Sequence, residues 1–259
     1  MKVIIFAGGW GSRLGQRTNL IPKPMVNIGD KPILWHIMKI YSYYGYNDFI
    51  ILLGVKGEII KNYFVNYDLL NNNLTIDLSN NAIKFHKNSE RPNWKITLID
   101  TGLNTLKGGR LKRAEKFITD KNNMLTYGDG LADINIPELI KFHESHGKIL
   151  TITGVHPPSR FGELVEEQNK LISFEEKPQT SKGLINGGFM VFNKKLLDYL
   201  TDDEDCDFEH GPLIELTKDN EVMVYKHKGL WNCLDNERDY VYLNKLWKEN
   251  KAFWRIWEK

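Results

Sequence analysis

The chain reads as an α/β protein with a mostly parallel, open sheet flanked by helices and interrupted by inserted β-hairpins. Three observations lead there. Short apolar runs alternate with helical patterns for most of the 259 residues, which indicates a sheet covered on both faces. Hydrophobic residues make up 41% of the chain, enough for a large core. The first apolar run also opens straight into a glycine-rich turn, which puts backbone N–H groups at the carboxyl edge of such a sheet.

The elements follow in order. Residues 2–7 (KVIIFA) form a strand that ends at Ala7 in Gly8-Gly9-Trp10-Gly11-Ser12-Arg13-Leu14. Residues 32–44 read as a helix, with Asp30 as its cap and Gly45 as its stop. Residues 48–53 are a continuous apolar strand, 57–67 a helix, 94–99 a strand, 110–118 a helix and 123–127 a strand. A helix at 137–146 and a strand at 148–155 follow, and residues 186–188 read as a turn before a strand at 189–192. The pattern breaks twice. Residues 72–86 read as a hairpin with its turn at Asn80-Asn81, and residues 161–174 as a second hairpin with an exposed turn at 166–170. With no repeat, low-complexity segment or linker, residues 1–259 are expected to form a single domain, closed by a helix within 236–259.

Composition narrows the function. A net charge of +2 with both signs interspersed offers no broad field for nucleic acid. The tryptophans, Trp247, Trp254 and Trp257 among them, read as packing residues rather than base-stacking ones. Cys206 and Cys233 lack the spacing of a metal knuckle, which suits a reduced compartment. No run approaches the roughly 20 apolar residues of a membrane span, and the first apolar run is too short for a signal peptide. A cytoplasmic protein without membrane contact is expected.

The glycine turn carries the chemistry. Glycine permits positive φ and removes the Cβ, so a polyphosphate can come close to the amides. Arg13 and Lys23, the latter in Pro22-Lys23-Pro24-Met25, bring two cations to the same edge. Together they point to a nucleoside triphosphate whose pyrophosphate end is held. A P-loop string is absent, and Leu14 stands where a dinucleotide fingerprint needs its third glycine. Asp129 follows a strand and lies between Gly128 and Gly130, placed either for a hard cation or to cap its own turn. Asp235, just before the last helix, reads either as a metal ligand or as a helix N-cap. Arg110, Lys112 and Arg113 form a basic cluster, and Lys177 is flanked by acids. Each of these is also compatible with a solvated face.

Several motifs in order, AGG-x-G-S-R-L, PKPM, GDKPILWHIM at 29–38, Asp100-Thr101-Gly102, Gly108-Gly109-Arg110-Leu111-Lys112-Arg113, Thr126-Tyr127-Gly128-Asp129-Gly130, Glu176-Lys177-Pro178, Asn186-Gly187-Gly188-Phe189 and a tryptophan-rich close, resemble the sugar-1-phosphate nucleotidyltransferases. Within them the chain looks like the cytidylyl branch that acts on glucose 1-phosphate. The resemblance implies a Rossmann-like, nucleotide-diphospho-sugar transferase-like fold. It also implies transfer of a cytidylyl group from CTP to a sugar 1-phosphate, for O-antigen or other surface polysaccharide. Catalysis would fall to Arg13 and Lys23. The nucleotide would be held by Ala7, Gly8, Gly9, Gly11, Ser12, Arg13, Lys23, Arg110, Gly128 and Asp129, and Mg²⁺ by Asp129 and Asp235. The sugar phosphate would meet Glu176, Lys177, Asn186, Gly187 and Gly188, in a sugar-binding part spanning about 156–235. A hexamer is implied, with the 72–86 hairpin as a contact. The chain departs from the family in two places. Trp231-Asn232-Cys233-Leu234-Asp235-Asn236 replaces Trp-Gln-Pro-Met-Asp-Thr, and Gly211-Pro212-Leu213 replaces Glu-Pro-Leu, with Glu209 close by as a substitute for the carboxylate that helps order the site. The rival readings are the same chemistry on another base or acceptor, a silent nucleotide-binding homologue and, more distantly, a dehydrogenase.

Overall fold

Val3–Ala7 and Asp48–Leu53 lie side by side in a seven-stranded sheet, and every residue of the first is buried. A computed structural model describes residues 1–86, 91–157, 163–175 and 183–258. The sheet comprises β1 (Val3–Ala7), β2 (Asp48–Leu53), β3 (Lys95–Asp100), β4 (Asn122–Tyr127), β5 (Leu150–Val155), β6 (Ile185–Asn193) and β7 (Val222–Lys226), in the order β7-β5-β6-β4-β1-β2-β3. All neighbours are parallel except β6, which runs against β4 and β5.

The period-2 rule sorts the core. Val3, Ile5 and Ala7 join Phe49, Ile51 and Leu53 in one apolar layer, while Ile4, Phe6, Ile50 and Leu52 enter the other. Seven α-helices lie among the described residues: α1 (Ile33–Tyr43), α2 (Gly57–Val65), α3 (Tyr67–Asn71), α4 (Lys107–Arg113), α5 (Ile136–His146), α6 (Pro212–Lys218) and α7 (Glu237–Lys248). Residues of α1, α2, α5 and α7 fill the first layer, and residues of α4 and α6 the second.

Several expectations need correction. Pro32, not Asp30, stands at the N-cap of α1 and makes no side-chain cap; the first free donor of the helix, Ile33 N, is taken instead by the Val26 carbonyl at 2.9 Å. The helix expected over 57–67 breaks at Asn66 into α2 and α3. The helix expected from 110 begins at Lys107, so Arg110 lies inside it and is buried. The expected hairpins form: Asn73–Asp77 pairs with Ala82–His86, and Glu163–Glu167 with Lys170–Glu175 through a tight turn at Gln168-Asn169.

The tryptophans pack as expected. Trp35, Trp247, Trp254 and Trp257 surround the fully buried His36. His36 Nε2 lies 2.9 Å from the Ile28 carbonyl, and the Trp254 indole donates to Nδ1 at 3.4 Å. That pattern is the neutral Nε2–H tautomer. Burial holds the ring's pKa down at about 4.

Candidate active site

Strand order reverses between β1 and β4, where an open α/β sheet leaves a crevice beyond its carboxyl ends. A cleft of about 880 Å³ lies there. The turns after β1 and β4, Lys23, the start of α4, Asn186 and the 231–235 segment line it. Because β6 runs backwards, its first residues, not its last, reach this edge.

The glycine turn is pressed against Arg110. A Cβ on Gly8 would come within 2.5 Å of the guanidinium carbon, which excludes any larger residue without rearrangement. Arg110 Nη1 donates to the carbonyls of Leu53 and Gly102 and to Thr101 Oγ1, and Nη2 donates to the carbonyls of Gly8 and Leu103. Arg110 is therefore no solvated surface cation. It ties the ends of β1, β2 and β3 into one wall of the cleft, and burial lowers its pKa. Gly11 adopts φ 66°, and its carbonyl accepts from Leu14 N and Thr18 Oγ1. Arg17 clamps this segment to α7 through two 2.7 Å hydrogen bonds to Glu237, its guanidinium 3.6 Å from the Tyr240 ring. The side chains of Ser12 and Arg13 lie outside the described residues.

The charged centre is built from three distant segments. Lys23 Nζ donates to Asp129 Oδ2 at 2.7 Å and to Asp235 Oδ1 at 3.0 Å. A short antiparallel ribbon sets the two aspartates beside each other: Gly130–Ala132 pairs with Trp231–Cys233, and Leu234 N donates to the Asp129 carbonyl at 2.8 Å. Gly128 lets the chain pass β1, since a Cβ there would meet the Phe6 carbonyl at 2.6 Å. Burial pulls the Lys23 ammonium toward neutrality, but the charges of Asp129 and Asp235 and their hydrogen bonds outweigh it, so its pKa is raised.

Asp235 is not the helix cap. Asn236 takes that role, accepting from Arg238 N and Asp239 N, while Asp239 returns a bond to the backbone of Asn236. Asp235 is thus left to the cleft. Two carboxylates converging on one cation are a hard, oxygen-only donor set. Among the described residues no third His, Cys, Asp or Glu completes a metal cluster. That set fits Mg²⁺, which binds through one or two carboxylates plus phosphate oxygens and water. Cys233 also lines the cleft. Burial, and then the nearby Asp129 charge, push its thiol up to about 12, which makes it a poor nucleophile.

Elsewhere in the lining of the cleft Asn186 Nδ2 donates to Tyr127 Oη at 3.0 Å, and Gly188 N donates to Asn186 Oδ1 at 3.0 Å. The Trp231 indole donates to the Gly187 carbonyl at 2.8 Å. Tyr127 donates to Glu209 Oε1 at 2.7 Å, and Lys107 pairs with the same oxygen. Glu176 and Lys177 lie outside the described residues. Sequence reading missed Tyr127, Lys107 and Trp231. Tyr127 and Trp231 stand in motifs that had been singled out, two residues before Asp129 and four before Asp235, but Lys107 carries no local signal at all.

The family model of nucleotidyl transferases matches residues 2–249. A probable glucose-1-phosphate cytidylyltransferase of Bacillus subtilis is 46% identical over 257 residues, covering 99% of this chain and all of the relative. A glucose-1-phosphate cytidylyltransferase of Salmonella typhi is 46% identical over 259 residues, the full length of both. Among solved structures, HddC of Yersinia pseudotuberculosis complexed with GMP-PN superposes with a TM-score of 0.67 at 25% identity, over 95% of this chain and 99% of HddC. The chain belongs to the nucleotidyl transferase family, and along its whole length it is similar to that family's glucose-1-phosphate cytidylyltransferases.

Proposed function

We propose that this chain transfers a cytidylyl group from CTP to α-D-glucose 1-phosphate, giving CDP-glucose and pyrophosphate. The observation that carries the chemistry is the convergence of Lys23, Asp129 and Asp235 at the mouth of β1 and β4. The substrate pair rests on the full-length similarity to the cytidylyltransferases. A phosphate oxygen of the sugar attacks the α-phosphorus of CTP in line. It is already ionised, so no protein base is needed and catalysis is positioning plus electrostatics. Mg²⁺ held by Asp129 and Asp235 would neutralise the charge that gathers on the phosphates. Lys23 is the cation for the departing pyrophosphate, and Arg13 is assigned the same role by the glycine-turn motif. Residues 7–11 bring their backbone to the nucleotide, and Arg110 keeps that backbone in place. Asn186, Gly187 and Gly188, with Glu176 and Lys177, receive the sugar phosphate.

The chain is read as one domain of residues 1–259 that makes a nucleotide sugar in the cytoplasm for O-antigen or other surface polysaccharide. Among the described residues no helix is long and apolar enough to cross a membrane. A hexamer is part of the same reading. In the Asn73–Asp77/Ala82–His86 hairpin Leu74 faces Phe85 and Ile76 faces Ile83, an apolar side with Ile76 53% and Ile83 50% exposed. Sedimentation velocity tests the assembly. The function is tested by a matrix of four nucleoside triphosphates against several sugar 1-phosphates, scored by pyrophosphate release. CTP with glucose 1-phosphate is expected to exceed every other pair, and equal rates with all four nucleotides would overturn the cytidylyl assignment.

A further inference from the structure

Tyr127, Glu209 and Lys107 form a connected group in the lining of the cleft, and of the three only Glu209 was expected near the site, as a stand-in for the family's glutamate. Hydrogen-bond directions in the group are fixed. Gly188 N can only donate, so the atom of the Asn186 amide facing it at 3.0 Å is the oxygen. The amide nitrogen therefore faces Tyr127 Oη at 3.0 Å and donates to it. Tyr127, already an acceptor, gives its own proton to Glu209 Oε1 at 2.7 Å. Lys107 pairs with that same oxygen, and its ammonium lies 5.0 Å from the centre of the Tyr127 ring. The ring is held from behind by Phe6, stacked at 5.9 Å, and from the side by Gly188, where a Cβ would meet it at 2.6 Å.

We propose that Tyr127, Glu209 and Lys107 are positioning residues for the sugar end of the reaction, fixing the Asn186 amide with one N–H and one oxygen lone pair turned to the sugar phosphate. This rests on the cytidylyltransferase reading above. A freely flipping amide would present donor and acceptor at random and would lose the entropy of ordering when the sugar arrived. The relay removes that loss before binding. Glu209 Oε2 is buried with no partner among the described residues. The carboxylate therefore has acceptor capacity left to shift with the incoming ligand while Oε1 keeps Tyr127 in place.

The test uses Tyr127→Phe, which keeps the ring and removes the relay oxygen, and Glu209→Gln, which keeps the shape and removes the charge. Glucose 1-phosphate binding is measured by calorimetry on protein saturated with α,β-methylene-CTP. KM for both substrates and kcat are measured alongside. Both variants are expected to weaken glucose 1-phosphate binding about tenfold and to raise its KM in step. KM for CTP should stay within about twofold, and Lys107→Met should give a smaller loss in the same direction. A purely structural role would move the melting temperature and both KM values together, and that result overturns the proposal. So does unchanged sugar binding in Tyr127→Phe and Glu209→Gln. Sugar binding without turnover in the unmodified protein would sink the function reading and leave the relay standing. No sugar binding in the unmodified protein would sink both.

Discussion

Lys23 and His36 occupy two regions of the molecule that treat charge in opposite ways. In the cleft, a half-buried ammonium sits between two carboxylates and its pKa is raised despite burial. Under α1, an imidazole boxed by four tryptophans has no carboxylate in contact and its pKa falls to about 4. Burial acts in the same direction on both groups, so the difference lies in the partners. A charge survives desolvation where opposite charges meet it at hydrogen-bond distance, and is extinguished where only neutral dipoles do. The cleft is thereby a region whose function depends on charge, and the aromatic box one whose stability depends on neutrality.

The comparison breaks hardest at the carboxylates. Asp129→Asn and Asp235→Asn keep shape and remove charge. Each is expected to lower steady-state pyrophosphate release by about 10²–10³-fold, the scale of losing one electrostatic stabiliser. Both variants should still unfold cooperatively within a few degrees of the unmodified protein. Loss of activity only in variants that also fail to fold would place the two aspartates in the scaffold instead.

Acid should attack the box first. The folded pKa of His36 is depressed from 6.5 to about 4, so above pH 6.5 both states are neutral and there is no penalty. Between pH 6.5 and 4 the unfolded chain takes up a proton that the fold refuses. Stability therefore falls by about 3 kcal/mol across that window. His143, also lowered to about 4 by burial, adds to the same slope. Urea midpoints measured from pH 7 to 4.5 should decline, and less steeply in His36→Phe. A flat profile would mean that the box admits a proton.

Arg110 marks the limit of the contrast: it is buried and meets only neutral oxygens, yet a guanidinium is basic enough to keep its charge where an imidazole loses it. Arg110→Met removes a donor from each of the carbonyls of Gly8, Leu53, Gly102 and Leu103 and should cost roughly 2 kcal/mol. Calorimetry should also show weaker CTP binding, because the glycine turn loses its backing. The smallest effect separates neighbours: Asn236→Ala should cost about 1 kcal/mol of stability by removing the α7 cap and leave turnover unchanged. That is the reverse of Asp235→Asn, one residue away.

What the sequence disclosed follows the range of the interactions. β2 was legible to the residue because FIILL is a short continuous apolar run bounded by Asp48 and Gly54, and the glycine turn because its composition has few other uses. β7 (VMVYK) escaped because it lies at the sheet edge with mixed exposure. The Trp231–Cys233 ribbon escaped because three residues carry no period. Asp30 looked like a cap by type, but Pro32 sat nearer the helix. Among site residues, Lys23, Asp129 and Asp235 stood out by motif, and the structure brings them together. The bonds of Arg110 to Leu53 and Gly8 and the Lys107–Glu209 pair could not be foreseen, since those partners lie 57 or more residues away.

That distance has a consequence for how the molecule comes into being. Lys23 reaches Asp129 across 106 positions and Asp235 across 212, and Arg17 reaches Glu237 across 220. During synthesis Lys23 leaves the ribosome 212 residues ahead of Asp235, the second carboxylate that it meets. Until then Lys23 has only one of its two carboxylates within reach. The cleft is therefore held by contacts between residues far apart in sequence, the kind that form late and slowly when a chain folds.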